Sequence, residues 1–264
     1  MNEPTLSIAG SDPSGGAGVQ ADLKVFHAHE VYGMAIPTLL TVQNTQSVSK
    51  VKVLEASLIA EQFQAILSDI PPKAFKTGAL GNSEIIDVVA FYAEQVSGPL
   101  VVDPILLSSS GASLLDGDGV SVFRNTLFPK AYVVTPNTEE AKHLVEFDVH
   151  DIKTMERAAK AIVSMGAKNA IIKGGHIFGP YAIDIAFING SIQQLRSEFI
   201  SSRNTHGTGC AFSASLTARL ARGESLVNAF NASKAFVVEA IKTAPGLGNG
   251  YGPLNLLNHL SKKK

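Results

Sequence analysis

Short runs rich in Val and Ile alternate along this chain with runs whose apolar residues recur every three or four positions. The first kind includes "TLSIAG" (5–10), "MAIPTLLTVQ" (34–43), "AFKTGAL" (74–80), "PLVVDP" (99–104), "AYVVTPN" (131–137) and "NAIIKGG" (169–175). The second includes 18–30, where Val19, Leu23 and Phe26 share a face, then 57–70, 138–147 and 155–167, and two closing helices over 208–222 and 225–243. Strands that alternate with helices predict an α/β fold with a central, mainly parallel sheet covered on both faces. Pro37 has no ladder N–H, so its strand is expected at an edge or a bulge. Asn189 and Gly190, between "YAIDIAFI" and "SIQQLRSEF", are a type I′ turn signal and predict an antiparallel hairpin. No linker, repeat or low-complexity stretch breaks the alternation, so one domain over 1–264 is expected.

The chain's 264 residues are 45% hydrophobic, enough for a sizeable core, and its net charge of −1 argues against a nucleic-acid surface. Its single cysteine, Cys210, excludes an intramolecular disulfide and a multi-cysteine metal site, and makes a reducing cytoplasm the simplest compartment. "MNEPTLSIAG" has neither a basic start nor a long apolar stretch, so no signal peptide is expected, and no apolar run reaches the 18 residues of a membrane span. The closing "SKKK" reads as a solvated tail.

Ligands of open parallel sheets sit beyond the carboxyl ends of the strands. The polar and glycine-rich stretches fall there: "AGSDPSGGAG", "TVQN", "VVDP", "TPNTEE" and "IIKGGH". Gly16, Gly18 and Ala21 match the spacing of a dinucleotide fingerprint. The strand, however, ends about seven residues too early for its tight turn, and Gln43 stands where its acid is expected. No GxxxxGK[ST] occurs, so the chain has no P-loop. The first glycine loop then reads either as a helix cap or as backbone closing over a small ligand. In "THGTGC", Gly207, Thr208 and Gly209 at a helix start expose bare N–H groups in the positive end of a dipole, a site for phosphoryl oxygens. Cys210 follows in the first turn, either as a buried structural thiol or as one whose pKa falls there. Asp103, Asn137 and Glu140 supply oxygen ligands suited to Mg²⁺, directly or through water, and Lys173 can neutralise phosphate charge. Any one of these alone also suits a capping or solvated side chain.

Together, "IAGSDPSGGAGVQADLK", "VQNT", "VVDP", "TPNTEEA", "IIKGGH", "NTHGTGC" and "GNGYGPLN" make the chain resemble bacterial hydroxymethylpyrimidine/phosphomethylpyrimidine kinases, in the pyridoxal-kinase-like branch of the ribokinase superfamily. The resemblance runs from about residue 5 to about 258. It implies a ribokinase-like fold, and ATP- and Mg²⁺-dependent phosphorylation of 4-amino-5-hydroxymethyl-2-methylpyrimidine, then of its monophosphate, for thiamine synthesis. It also implies a cytoplasmic homodimer. The pyrimidine is then expected against Gly10 and Ala17 with Asp22 beside it, and its edge read by Gln43, whose carboxamide both donates and accepts. Cys210 takes the place of the catalytic aspartate of the superfamily's sugar kinases. At the helix N-terminus it is expected to be partly ionised and to accept the substrate hydroxyl's proton.

Two positions depart from the commonest pattern of that family. "KTGAL" puts Ala79 where many members carry a ring-packing methionine, and "LSSSG" puts Ser109 where a lysine is frequent. Both bear on substrate range. Rival readings are a pyridoxal kinase, a catalytically inactive binder of the pyrimidine and, least favoured, a dinucleotide oxidoreductase.

Overall fold

The computed structural model describes residues 3–106, 115, 119–175 and 179–257. Ser109, His176 and the 261–264 tail lie outside the described residues. The strands are β1 (Pro4–Ser11), β2 (Tyr32–Gln43), β3 (Val48–Val53), β4 (Ala74–Thr77), β5 (Leu100–Val102), β6 (Val133–Val134), β7 (Ala170–Lys173), β8 (Tyr181–Ile188) and β9 (Ser191–Glu198). The helices are α1 (Gly18–Ala28), α2 (Ala56–Asp69), α3 (Ser83–Ala93), the short α4 (Gly119–Val122), α5 (Thr138–Val145), α6 (Ile152–Ser164), α7 (Thr208–Ala221) and α8 (Leu226–Lys242).

The strands form one sheet in the order β3-β2-β1-β4-β5-β6-β7-β8-β9. From β2 to β7 all neighbours are parallel, and β3, β8 and β9 add antiparallel edges. Successive side chains of a strand point to opposite faces. Val101, Val133 and Ile171 accordingly pack with α1, α7 and α8, while their neighbours Val102, Val134 and Ile172 pack with the helices of the other face. Burial on both faces is why these strands read as continuous apolar runs rather than as alternation.

Pro37 sits at a bulge. The β1–β2 register steps from Ala9↔Pro37 to Ser11↔Leu40, giving β2 one extra residue, and β3 pairs with β2 only from Leu39 onward. Asn189 (φ 50°) and Gly190 (φ 80°) turn the β8–β9 hairpin with the positive φ angles of a type I′ turn. The short α4 and two longer elements were not read from the sequence. One is β3, a partly exposed strand that folds back on β2. The other is α3, whose Asn82 cap accepts from the Ile85 N–H and whose Ile85, Ile86, Val89 and Ala90 are buried. Asn82 followed by apolar residues at helical spacing was a legible start signal.

Between the sheet and α1 lies a fully buried ion pair. Lys76 Nζ of β4 is 2.8 Å from Asp22 Oδ2 of α1, and the Ser7 hydroxyl of β1 donates to the same oxygen at 2.6 Å. Burial opposes charge on Lys76, but Asp22, with Asp103 behind it, outweighs burial and holds the ammonium above its ordinary range. Removing one partner of such a pair leaves an uncompensated buried charge, whereas replacing both does not. Lys76→Met is expected to lower the unfolding free energy by about 3–5 kcal/mol, and Asp22→Leu/Lys76→Met to regain much of that loss. Urea unfolding of the two variants checks this. Equal loss in both would mean that shape, not charge, is what the site requires.

Candidate active site

The carboxyl ends of β1, β2, β5, β6 and β7 open onto a cavity of about 350 Å³. Gly10, Ala17, Gln43, Ala79, Asp103, Asn137, Glu140, Lys173, Gly207, Thr208, Gly209 and Cys210 all line it, so residues scattered over two hundred positions meet in one place. Asp22 does not. It lies beneath the cavity in the buried pair with Lys76, where its Oδ1 has no hydrogen-bond partner among the described residues. The placement of Asp22 beside a ring in the cavity wall is corrected accordingly, because the nearby ammonium draws that carboxylate into the core.

Three helices begin at this cavity: α1 after Ala17, α5 after Asn137 and α7 after Gly207. Their orphan N–H groups and dipoles make the rim favourable to anions. At α7 the backbone does the work. Gly207 caps the helix with φ 85°, and a Cβ there would stand 1.8 Å from the Gly16 carbonyl oxygen, so only glycine lets the two loops touch. The Thr208 N–H donates to the Thr205 carbonyl at 3.2 Å. The Gly209 and Cys210 N–H groups have no acceptor among the described residues. Of the four residues of the segment only Thr208 has its N–H engaged, so the N–H groups of Gly207, Gly209 and Cys210 are the ones available to an anion.

Lys173 ends β7 beside them. Its Nζ is 3.0 Å from Asp103 Oδ1, and a Cβ on Gly209 would lie 3.3 Å from that nitrogen. Burial works against its charge, but Asp103 and Glu140 outweigh it and hold the ammonium above its usual range. Asp103 also accepts from the Ser213 hydroxyl at 3.0 Å, which fixes its other oxygen. Asn137 and Glu140 form the capping box of α5, each side chain accepting the other's N–H at 2.8 Å. Burial, with a smaller push from Asp103, raises the Glu140 carboxyl to about 7 against the pull of Lys173. Among the described residues no three His, Cys, Asp or Glu side chains converge as a metal cage.

Cys210 is buried, and its sulfur accepts the Gly18 N–H. Burial pushes the thiol up to about 12, overriding Lys76 and that hydrogen bond, which pull it down. The expectation of a partly ionised thiol is therefore wrong for this state. The helix N-terminus is there, but loss of water at the sulfur counts for more. Leu39, Ala79 and Ile105 supply an apolar wall. Asp12 and His206 also face the cavity and were not singled out in the sequence; the legible signal was a histidine directly before the Gly207–Cys210 turn.

A second cavity, about 500 Å³, abuts the first. Lys173, Thr208 and Gly209 belong to both walls. Beyond them Phe212, Val237, Val238 and Ile241 make an apolar side, and Lys234 pairs with Asp184 at 2.7 Å.

Comparison with known proteins agrees with this geometry. The sequence pattern of the family described as phosphomethylpyrimidine kinase matches residues 12–255. The hydroxymethylpyrimidine/phosphomethylpyrimidine kinase of Bacillus subtilis is 39% identical over 95% of this chain and 93% of its own length. The thiamine biosynthesis bifunctional protein ThiED of Geobacter sulfurreducens is 41% identical over 95% of this chain, which spans only 51% of that longer protein. The structure of the pyridoxal kinase from Staphylococcus aureus in complex with AMP-PCP and pyridoxal superposes with a TM-score of 0.90 at 35% identity, covering 98% of this chain and 95% of that one. The fold is the ribokinase-like α/β fold. A family pattern that takes in most of both cavity walls and the loops between them settles the class of protein: the chain is a kinase and belongs to the phosphomethylpyrimidine kinase family.

Proposed function

We propose that this protein transfers the γ-phosphoryl group of ATP to the hydroxymethyl group of 4-amino-5-hydroxymethyl-2-methylpyrimidine, and then to the resulting monophosphate, in thiamine biosynthesis. The observation that carries this reading is the pair of cavities meeting at Lys173, Thr208 and Gly209. The first cavity has a carboxamide, Gln43, and an apolar wall, which suits a flat aminopyrimidine. The second has an apolar side and room for a nucleotide. Between them lie an ammonium and the bare N–H groups of the Gly207–Cys210 turn, where charge on a transferring phosphoryl group is stabilised by positioned dipoles. The AMP-PCP complex of the related pyridoxal kinase supports ATP as donor.

The donor set suits Mg²⁺ in one particular form. Asp103 raises the cost of ionising Glu140 in a site with one ammonium, so a divalent cation there is favourable. With no protein cage among the described residues, the ion would be shared with phosphate oxygens and water. When bound it would spread charge over the phosphates. Glu140 and Asp103 would face it, while Asn137 holds Glu140 in place through the cap.

A pyridine alcohol is the second reading. Ala79 offers only a methyl group to the ring cavity, and the pyridoxal kinase shares the whole fold. Initial rates of ADP release over a panel of pyrimidine and pyridine alcohols decide between them. Rates on the pyrimidine alcohol and its monophosphate above those on pyridoxal support the first reading; the reverse order overturns it.

A thiol held at about 12 stays un-ionised at neutral pH. Such a group is no general base, so Cys210→Ala is expected to lower the single-turnover rate by less than about tenfold, in similar proportion on the alcohol and on the monophosphate. A true base would give a loss of about 10²–10⁴ on the alcohol alone, because the monophosphate oxygens are already mostly ionised with a second pKa of about 6.

Glu140 gives a pH signature. Its raised pKa makes the carboxyl neutral below about 7 and charged above it. Cation binding therefore strengthens as pH rises. The Mg²⁺ concentration for half-maximal rate should fall about tenfold from pH 6 to pH 8 in the wild type. In Glu140→Gln only the nucleotide's own slope should remain. An identical profile in both proteins would remove Glu140 from the metal's surroundings.

A further inference from the structure

Asp12 and His206 stand 194 positions apart in the chain, yet Asp12 Oδ2 lies 2.7 Å from His206 Nε2, and both side chains are buried. Asp12 also organises its own loop. Its Oδ1 accepts the Ser14 N–H and hydroxyl, and its Oδ2 accepts the Ala17 N–H. Burial raises the Asp12 carboxyl, but the hydrogen bonds from His206 and Ser14 outweigh it and leave the group below its ordinary range. An ionised carboxylate only accepts, so the proton between them belongs to His206 Nε2.

The rest of His206 is tied as firmly. Its backbone N–H donates to the Gly252 carbonyl at 3.1 Å, and a Cβ on Gly16 would strike its ring at 2.4 Å. The segment 248–253 in turn grips the turn that follows Gln43: the Tyr251 N–H donates to the Thr45 carbonyl at 2.8 Å and the Gly250 N–H to the Thr45 hydroxyl at 3.2 Å. Gln43 Nε2 lies 3.4 Å from the same His206 nitrogen. That nitrogen carries a proton and cannot accept from the carboxamide. The Gln43 oxygen is 3.1 Å from the Thr41 hydroxyl. That hydroxyl is also 3.0 Å from the Ser11 carbonyl and has one proton for the two acceptors, and the carboxamide's N–H donors are left for whatever occupies the cavity.

We propose that the Asp12–His206 pair is a positioning clasp, which holds the ring-facing loops and the phosphoryl-receiving turn in one register. An acceptor lying against Gln43 then points its oxygen at the phosphoryl group received by the Gly207–Cys210 turn. The proposal rests on the acceptor reading given above. A residue that acts in this way touches neither reacting atom, yet a misplacement of about 1 Å can cost about 10²-fold in rate. His206 lines the first cavity and not the second, so the clasp governs the acceptor rather than the nucleotide.

Steady-state kinetics of three variants test it. His206→Leu removes the donor, His206→Asn keeps a polar amide that falls short of Asp12, and His206→Gln places an N–H near the position of the imidazole Nε2. The Leu and Asn variants are expected to lose about 10²-fold in kcat, with KM for ATP within about twofold of wild type. The Gln variant should return to within about tenfold of wild type. Assays use whichever alcohol the wild type phosphorylates fastest. A preference for a non-pyrimidine alcohol would count against the substrate reading alone, with the comparison among variants intact. A Leu or Asn variant within threefold of wild type overturns the clasp. So does a Gln variant no better than either, or a rise in KM for ATP that keeps step with the loss in kcat.

Discussion

Two loops that are far apart in the chain touch through their backbones, and the candidate site depends on that contact. The Gly207 Cα faces the Gly16 carbonyl so closely that a side chain of any size would collide with it. This approach brings the start of α7 against the start of α1. The Gly18 N–H then reaches the Cys210 sulfur, and two helix dipoles converge on one small volume. With side chains at these positions the loops would stand apart. The N–H groups of Gly209 and Cys210 would then open to water, where they stabilise a developing charge far less.

Charge around this point is arranged in two tiers. Below the cavity, Lys76 and Asp22 neutralise each other inside the core and present no free charge to a ligand. At the cavity wall, Lys173 and Asp103 are paired as well, but Glu140 stands beside them, so the site as a whole carries more carboxylate than ammonium. The N–H groups attract an anion and the carboxylates attract a cation. A nucleotide polyphosphate carrying a divalent ion meets both demands, and an uncharged ligand meets neither. The burial that makes these interactions strong also keeps the Cys210 thiol neutral. In the proposed reaction, transfer would then rely on position, fixed dipoles and the Lys173 ammonium rather than on an ionised thiol.

The architecture was largely legible because its causes are local. Val-Val and Ile-Ile pairs flanked by Pro, Gly and Asn mark strands buried on both faces, and Asn189-Gly190 marks a turn, whatever the rest of the chain does. The α3 helix was legible too, through Asn82 and the apolar spacing after it. The β3 strand was not, because a partly exposed strand over Val48–Val53 gains its structure from pairing with β2 rather than from its own residues.

The sequence by itself determined the fold class, the chemistry available at the strand ends and the family pattern that spans them. These follow from residue types, spacing and the glycines that certain turns demand. Only the tertiary structure decided which groups are charged, shared or hidden. Asp22 left the ligand site because Lys76 sits within its reach in the core. Thr208 lost its free N–H to the Thr205 carbonyl, and Cys210 remained a thiol because burial outweighs a helix terminus. Asp12 and His206 became partners across 194 residues. Burial and through-space distance set such outcomes, and neither is a property of any stretch of the chain read alone.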